Sequence, residues 1–98
     1  MANSVSVPEK LTVIVTGASA GIGRIICLGL AKKNYHLVLA ARSADKLAQL
    51  EAELTAIGCE CIAVPTDVAD PNALEALVKA TMDRFGRIDV LVNNAGIE

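Results

Sequence analysis

Four short stretches carry the make-up of strands. Lys10 to Thr16, His36 to Ala41, Glu60 to Val64 and Arg87 to Val92 read as strands, and His36 to Ala41, without polar alternation, has the make-up of a strand buried on both faces of a parallel sheet. Between them the apolar period changes from strand-like to helical. Ile22, Ile25, Ile26, Gly29 and Leu30 fall at i, i+3, i+4, i+7 and i+8, with Arg24 and Lys32 off that stripe. Leu47, Leu50, Leu54 and Ile57 form a second stripe, and Leu74, Leu77, Val78, Met82 and Phe85 a third. The punctuation agrees: Ser43 is placed as an N-cap, Asp70-Pro71 gives a cap followed by a first-turn proline, and Gly58 and Gly86 mark stops. Met1 to Glu9 is polar, is broken by Pro8, and reads as a flexible leader.

The predicted order is β-α-β-α-β-α-β, an α/β class that calls for a parallel sheet with right-handed crossovers. A doubly wound arrangement gives the strand order 3-2-1-4, with the switch point between strands 1 and 4. Ligands of such sheets bind beyond the carboxyl ends of the strands at that point. The 98 residues allow one domain with a modest core. In this reading it is a partial domain that stops after its fourth strand.

Composition narrows the partners. The hydrophobic fraction of 53% is high for so small a chain, so either the sheet is covered on both faces or some apolar surface awaits a partner. A net charge of −2 supplies no basic field for nucleic acid. No apolar run is long enough to span a membrane, and residues 1–10 lack a signal-peptide core, so a cytoplasmic protein is expected. Cys27, Cys59 and Cys61 have the spacing of neither a metal site nor a disulfide framework, and read as small buried side chains.

The candidate chemistry lies at the ends of the strands. Thr16-Gly17-Ala18-Ser19-Ala20-Gly21-Ile22-Gly23 turns strand 1 sharply into a helix whose first amides and positive dipole end suit a phosphate; a tight turn without ligand is the plain alternative. Its spacing, T-G-x-x-x-G-x-G, differs from the general G-x-G-x-x-G dinucleotide fingerprint. In dinucleotide-binding folds an acid about 20 positions further on takes the ribose 2′-hydroxyl of NAD, whereas an arginine accommodates the 2′-phosphate of NADP. Strand 2 ends in Arg42-Ser43 with no acid before Asp45, which favours NADP unless Arg42 is an ordinary surface residue. Asp67 follows strand 3, where its carboxylate either meets the adenine amino group or binds its own loop backbone. Asn93-Asn94-Ala95-Gly96 follows strand 4, where small residues allow a ligand close and amides tie loops together; a simple turn is the alternative.

Taken together and in order, T-G-x-x-x-G-x-G, Arg42, Asp67-Val68 and Asn93-Asn94-Ala95-Gly96 resemble the short-chain dehydrogenase/reductase family across residues 10–97. The resemblance implies a Rossmann-like fold and an NADP(H) site, with NAD the less favoured cofactor. It assigns Gly17, Ser19, Gly21, Ile22 and Gly23 to the cofactor phosphates and adenosine ribose. Arg42 and Ser43 are assigned to the 2′-phosphate, and Asp67 and Val68 to adenine. Asn93, Ala95 and Gly96 are assigned to the central sheet and the cofactor ribose. Ala20 stands where some NADP-using members carry a basic residue, so the choice of NADP rests on Arg42.

The family's catalytic serine and Tyr-x-x-x-Lys pair lie C-terminal to the Asn-Asn-Ala-Gly segment. The single tyrosine, Tyr35, is followed four residues on by Leu39, and His36 begins a strand, so no catalytic residue is nominated. Two expectations follow. In one, the chain is the cofactor-binding fragment of an enzyme passing hydride between nicotinamide and a carbonyl or alcohol, a homo-oligomer at full length. In the other it is a non-catalytic nucleotide-binding or subunit-interaction module, with strand 4 left as an apolar sheet edge.

Overall fold

The computed structural model describes residues 10–95. Within them β1 (Thr12–Thr16), α1 (Gly21–Ala31), β2 (His36–Ala41), α2 (Ala44–Ala56), β3 (Cys61–Pro65), α3 (Pro71–Phe85) and β4 (Val90–Val92) alternate along the chain. The four strands form one parallel sheet in the order β3-β2-β1-β4. That is the expected α/β doubly wound arrangement. The proposed leader, residues 1–9, and Gly96 lie outside the described residues.

The sheet separates two apolar layers. Val13, Val15, Leu37 and Leu39 point to one side and meet Cys27 of α1 and Leu47, Leu50 and Leu54 of α2. Ile14, Val38 and Ala40 point to the other, where Leu77 of α3 packs with Ile62, Val64 and Phe85 at the margin. The N-termini of α2 and α3 are closed as their sequences require: Ser43 Oγ accepts the Lys46 N–H at 3.4 Å, and Asp70 Oδ1 accepts the Asn72 N–H at 2.9 Å.

Three apolar stripes differ from expectation. In α1 the buried residues are Gly23 and Cys27, while Ile22 and Ile25 are 57% and 67% exposed and Gly29 is exposed. This helix is apolar on several sides, so periodicity could not choose its inward face. Close approach of Gly23 to the preceding turn chooses it instead. In α2 the stripe holds through Leu54, but Ile57 lies past the last turn, as the C-cap, and is 57% exposed. In α3 Leu77 is buried together with Thr81, whose hydroxyl donates to the Leu77 carbonyl at 2.8 Å, whereas Leu74, Val78 and Met82 are exposed. Leu74 and Val78 border an open cavity between α3 and the sheet.

Strand boundaries shift at the amino edge of the sheet. β1 begins at Thr12 rather than Lys10, because Thr12 is the first residue with a partner, His36, on β2. β3 runs Cys61–Pro65 rather than Glu60 to Val64, with Pro65 opposite Ala41. Glu60 instead gathers Lys10 Nζ at 2.7 Å and His36 Nε2 at 3.2 Å, and the His36 ring stacks on Phe85 at 4.3 Å between centroids. The Lys10 contact, with help from His36, holds the Glu60 carboxyl below its ordinary range. β4 is only Val90–Val92, since Asp89 ends the ladder by replacing a backbone acceptor with its side chain. Asp89 Oδ2 accepts the Thr12 N–H at 2.8 Å, and Arg87 holds the same carboxylate.

Arg87 first, and then the Thr12 N–H, depress the Asp89 pKa below 3.8. A depressed folded-state pKa contributes stability that is present above the unfolded value and is lost as pH falls through the folded one. Urea unfolding midpoints should therefore drop as the pH is lowered below about 3.8, and Asp89→Asn should make that drop shallower.

The two edges of the sheet are treated differently. On β3 the Ala63 N–H donates to Glu51 Oε2 of α2 at 3.1 Å, which blocks the edge to a further strand. On β4 Val90 and Leu91 are exposed, Leu91 by 59%. Beside Leu91 a cavity of about 480 Å³ opens between α3 and the sheet, lined by Ile14, Leu74, Leu77, Val78, Ile88 and Leu91, with Thr16, Val68 and Asn93 at its upper rim.

The three thiols are free. Burial pushes Cys27 up to about 12 and Cys59 up to about 11, and raises Cys61 as well. They are protonated at neutral pH and serve as core side chains, not as nucleophiles.

Candidate functional site

The site is built on the turn between β1 and α1. Ala18 N–H donates to the Ala40 carbonyl at 3.2 Å, bending the chain across the end of β2. Gly21 then opens α1 with φ +58°, a left-handed backbone open to glycine, and nothing lies within 4 Å of where its Cβ would stand. Above the turn there is room for a ligand to reach the backbone. Gly23 has the opposite role. A Cβ there would stand 1.9 Å from the Gly17 carbonyl oxygen and 2.6 Å from Asn94 Nδ2, so helix and turn can approach only if this residue is glycine.

The N-terminus of α1 differs from the other two. Ala20 is its N-cap and supplies no side-chain acceptor, and the first turn carries no acid. Ser43 and Asp70 cap α2 and α3, so among the described helices α1 alone presents a first turn without a side-chain acceptor. Uncapped amides at the positive end of a helix dipole suit an anion, and a phosphate bound there would complete the cap.

Thr16 locks this turn to the loop after β4. It is 4% exposed, and its hydroxyl accepts the Asn94 N–H at 2.9 Å and the Ala95 N–H at 3.1 Å. The hydroxyl proton faces the Val92 carbonyl and Asn93 Oδ1, each at 3.3 Å. Asn94 Nδ2 completes the tie by donating to the Gly17 carbonyl at 3.2 Å. Asn94 was not among the residues nominated from sequence, yet it is the buried member of the pair and Asn93 is exposed. Two adjacent asparagines look alike in a sequence, and only the direction in which each side chain leaves the loop separates them.

A cavity of about 120 Å³ lies beyond the ends of β1, β2 and β3. Gly17, Arg42, Asp67, Val68 and Ala95 line it, with Ala41 and Thr66 beneath, so the expected residues from four separate segments converge. Thr66, also not foreseen, is buried and donates its hydroxyl to the Val64 carbonyl at 2.8 Å. Arg42 is exposed at the rim and makes no ion pair among the described residues. Asp67 has the plain loop role, accepting the Ala69 N–H on Oδ1 at 3.0 Å, while it also borders the cavity. Ser19, Ile22, Ser43 and Asn93 do not line this cavity: Ser43 is engaged as the α2 cap, and Asn93 borders the apolar cavity on the far side of Thr16. No cluster of side chains among the described residues could hold a metal ion, and no helix among them is long and apolar enough to cross a membrane.

The family profile described as short chain dehydrogenase matches residues 11–98. The chain belongs to the short chain dehydrogenase family. This short-chain dehydrogenase sequence is 47% identical over 87 residues to a ketoacyl reductase, HetN, of a Nostoc species, an alignment covering 89% of this chain and 30% of the relative. It is likewise 47% identical over 85 residues to a 3-oxoacyl-[acyl-carrier-protein] reductase of a Synechocystis species, covering 86% of this chain and 34% of that one. Its fold superposes on L-sorbose reductase of Gluconobacter frateurii, solved with NADPH and L-sorbose, with a TM-score of 0.85 and 40% identity over 89% of this chain and 34% of the reductase. The chain thus spans about a third of the length of these relatives. Family membership marks it as the cofactor-binding portion of an oxidoreductase fold.

Proposed function

We propose that this chain is the NADP(H)-binding portion of a short-chain dehydrogenase that passes hydride between nicotinamide and a carbonyl or alcohol substrate. The observation that carries the reading is the uncapped glycine turn, which shares one cavity border with Arg42 at the end of β2, an arginine that makes no ion pair among the described residues. Gly21 to Gly23 and the first amides of α1 hold the phosphates, with Ser19 and Ile22 beside them. Arg42 pairs with the 2′-phosphate, and the exposed edge of Ser43 borders it. Asp67 and Val68 flank adenine. Asn93, Ala95 and Gly96 support the ribose nearest the sheet. The NADPH complex of the sorbose reductase supports the same cofactor choice.

When bound, nicotinamide supplies or takes the hydride. This chain's residues bind and orient the cofactor, and none of them stands as a proton donor, since Tyr35 precedes β2 at the amino end of the sheet, away from the site. The serine and Tyr-x-x-x-Lys groups of the family belong to the segment that follows in full-length members. A homo-oligomer in the cytoplasm is the form proposed for a full-length protein.

A chimera tests the reading. Residues 10–95 grafted in place of the matching segment of the Synechocystis reductase should yield an enzyme that oxidises NADPH in the presence of its 3-oxoacyl substrate. A folded chimera that binds no NADPH would contradict the proposal. The second reading, a non-catalytic module that joins a partner, is favoured by the uncovered cavity beside Leu91. It predicts a chain that assembles through that face whether or not nucleotide is bound.

A further inference from the structure

Away from the nucleotide cavity, at the amino end of β3, two thiols stand side by side. Cys59 and Cys61 enter β3 two residues apart, and both belong to the apolar layer that α1 and α2 cover. Glu60 between them leaves toward the opposite face, where it meets Lys10 and His36. Alternation of this kind sends side chains at i and i+2 the same way. The two thiols accordingly lie in hydrogen-bonding contact with each other. Their remaining partners are weak. Cys59 Sγ faces the Tyr35 and Glu60 carbonyls at 3.9 and 3.7 Å, and Cys61 Sγ faces the Glu51 carbonyl and Thr55 Oγ1, each at 3.8 Å. A thiol is a weak donor, so these protons can leave without costing the core a strong hydrogen bond. Both residues are nearly covered, and the end of α2 lies over them: Thr55 touches Cys61, and the Cys59 N–H donates to the Leu54 carbonyl at 3.0 Å. Terminal helix turns open at low cost, which gives a small reagent a path to the pair while the sheet stays intact.

We infer that Cys59 and Cys61 form a chelating site for trivalent arsenicals, which the two sulfurs hold between the end of α2 and the start of β3. Thiol sulfur is a soft ligand and suits a soft centre of this kind. With an organic arsenoxide the step is a ligand exchange. Two S–H bonds break, two As–S bonds form, and the arsenic-bound oxygen leaves with both protons as water. Arsenic remains trivalent, so no oxidant or reductant is consumed. The departing oxygen carries the protons away, and the pair therefore reacts from the protonated state that burial imposes on it. Cys27 takes no part. It is fully buried on α1, and among the described residues no three such side chains converge closely enough to hold a metal ion.

Phenylarsine oxide is the probe. By intact mass the reduced 98-residue chain, in buffer without denaturant, should take up one phenylarsine group and lose two of its three free thiols. The thiols should return with 2,3-dimercaptopropanol but not with 2-mercaptoethanol at the same thiol concentration. In a tryptic map the arsenic should travel with the peptide from Leu47 to Lys79, which carries Cys59 and Cys61 and not Cys27. Cys27→Ala should retain the group as the parent does. Cys59→Ala and Cys61→Ala should each release it about a hundredfold faster, because a single As–S bond lacks the gain of the second. No uptake by the chain, or uptake only in urea, would overturn the inference. So would arsenic found on the Cys27 peptide, or release rates unchanged in Cys59→Ala and Cys61→Ala. The map of the parent chain decides the matter even where a variant fails to fold.

Discussion

Gly23→Ala should unfold the chain or strip it of nucleotide binding, although it adds only a methyl group. The new Cβ would lie 1.9 Å from the Gly17 carbonyl oxygen and 2.7 Å from the carbonyl carbon, and neither is the end of a flexible side chain that could move aside. Relief requires α1 to slide off the turn, which opens the Cys27 contact with the sheet and pulls Asn94 from Gly17. Overpacking alone costs about 1–3 kcal/mol, and a backbone collision belongs at or beyond the upper end. Against a stability of roughly 5–15 kcal/mol for ordinary domains, and less for one with an uncovered apolar face, that loss is large. Gly29→Ala in the same helix is the control. Nothing lies within 4 Å of its Cβ position, so the substitution should stabilise by about 0.5–1 kcal/mol through helix propensity. Urea denaturation followed by circular dichroism would rank the two variants on opposite sides of the parent.

The second large effect is expected at Thr16. Thr16→Val preserves shape but removes the acceptor shared by the Asn94 and Ala95 N–H groups, leaving two donors in a site with little access to water. An orphaned buried donor costs about 1–3 kcal/mol, so the pair should lower stability by about 2–4 kcal/mol. Thr16→Ser keeps the hydroxyl and should recover most of that. Amide hydrogen exchange makes the assignment specific. Protection should collapse at Asn94 and Ala95 in Thr16→Val while the β2 amides paired with β1 keep theirs.

Much of this arrangement was legible in the sequence because it depends on local signals. His36–Ala41 came out with the expected ends, as both sides of β2 are covered by neighbouring strands and both faces by helices. Ser43, Asp70 and Gly86 bounded helices where their capping chemistry placed them. The helical faces were harder. Ile22 and Ile25 keep a correct period yet point outward, because the decisive contact, Gly23 on Gly17, involves no side chain and leaves no trace in hydrophobic patterning. Leu74, Val78 and Met82 also keep their period yet are exposed, and Leu74 and Val78 border an open cavity between α3 and the sheet, which local sequence cannot report.

The site divides along the same line. Arg42, Asp67 and Val68 converge on the cavity because strand ends of a doubly wound sheet lie side by side, a consequence of topology that spacing anticipates. A loop-to-loop tie by an asparagine amide was expected of Asn93-Asn94, but neither the choice of Asn94 nor the part of Thr16 was. Their roles follow from which way each side chain leaves the backbone, and a motif read as letters does not carry that direction. Ser43 caps α2 as its sequence position indicates, accepting the Lys46 N–H on Oγ, which leaves its hydroxyl proton free to donate.

In the proposed reading the uncapped glycine turn and the Arg42 guanidinium together select a 2′-phosphorylated adenine nucleotide. The ratio of dissociation constants for NADH and NADPH, measured by fluorescence titration on the parent chain and on Arg42→Ala under identical salt, tests it most directly. The parent should prefer NADPH by about tenfold or more, and Arg42→Ala should bring the ratio to near one by weakening NADPH while leaving NADH unchanged. A ratio that is the same in both proteins would contradict the account.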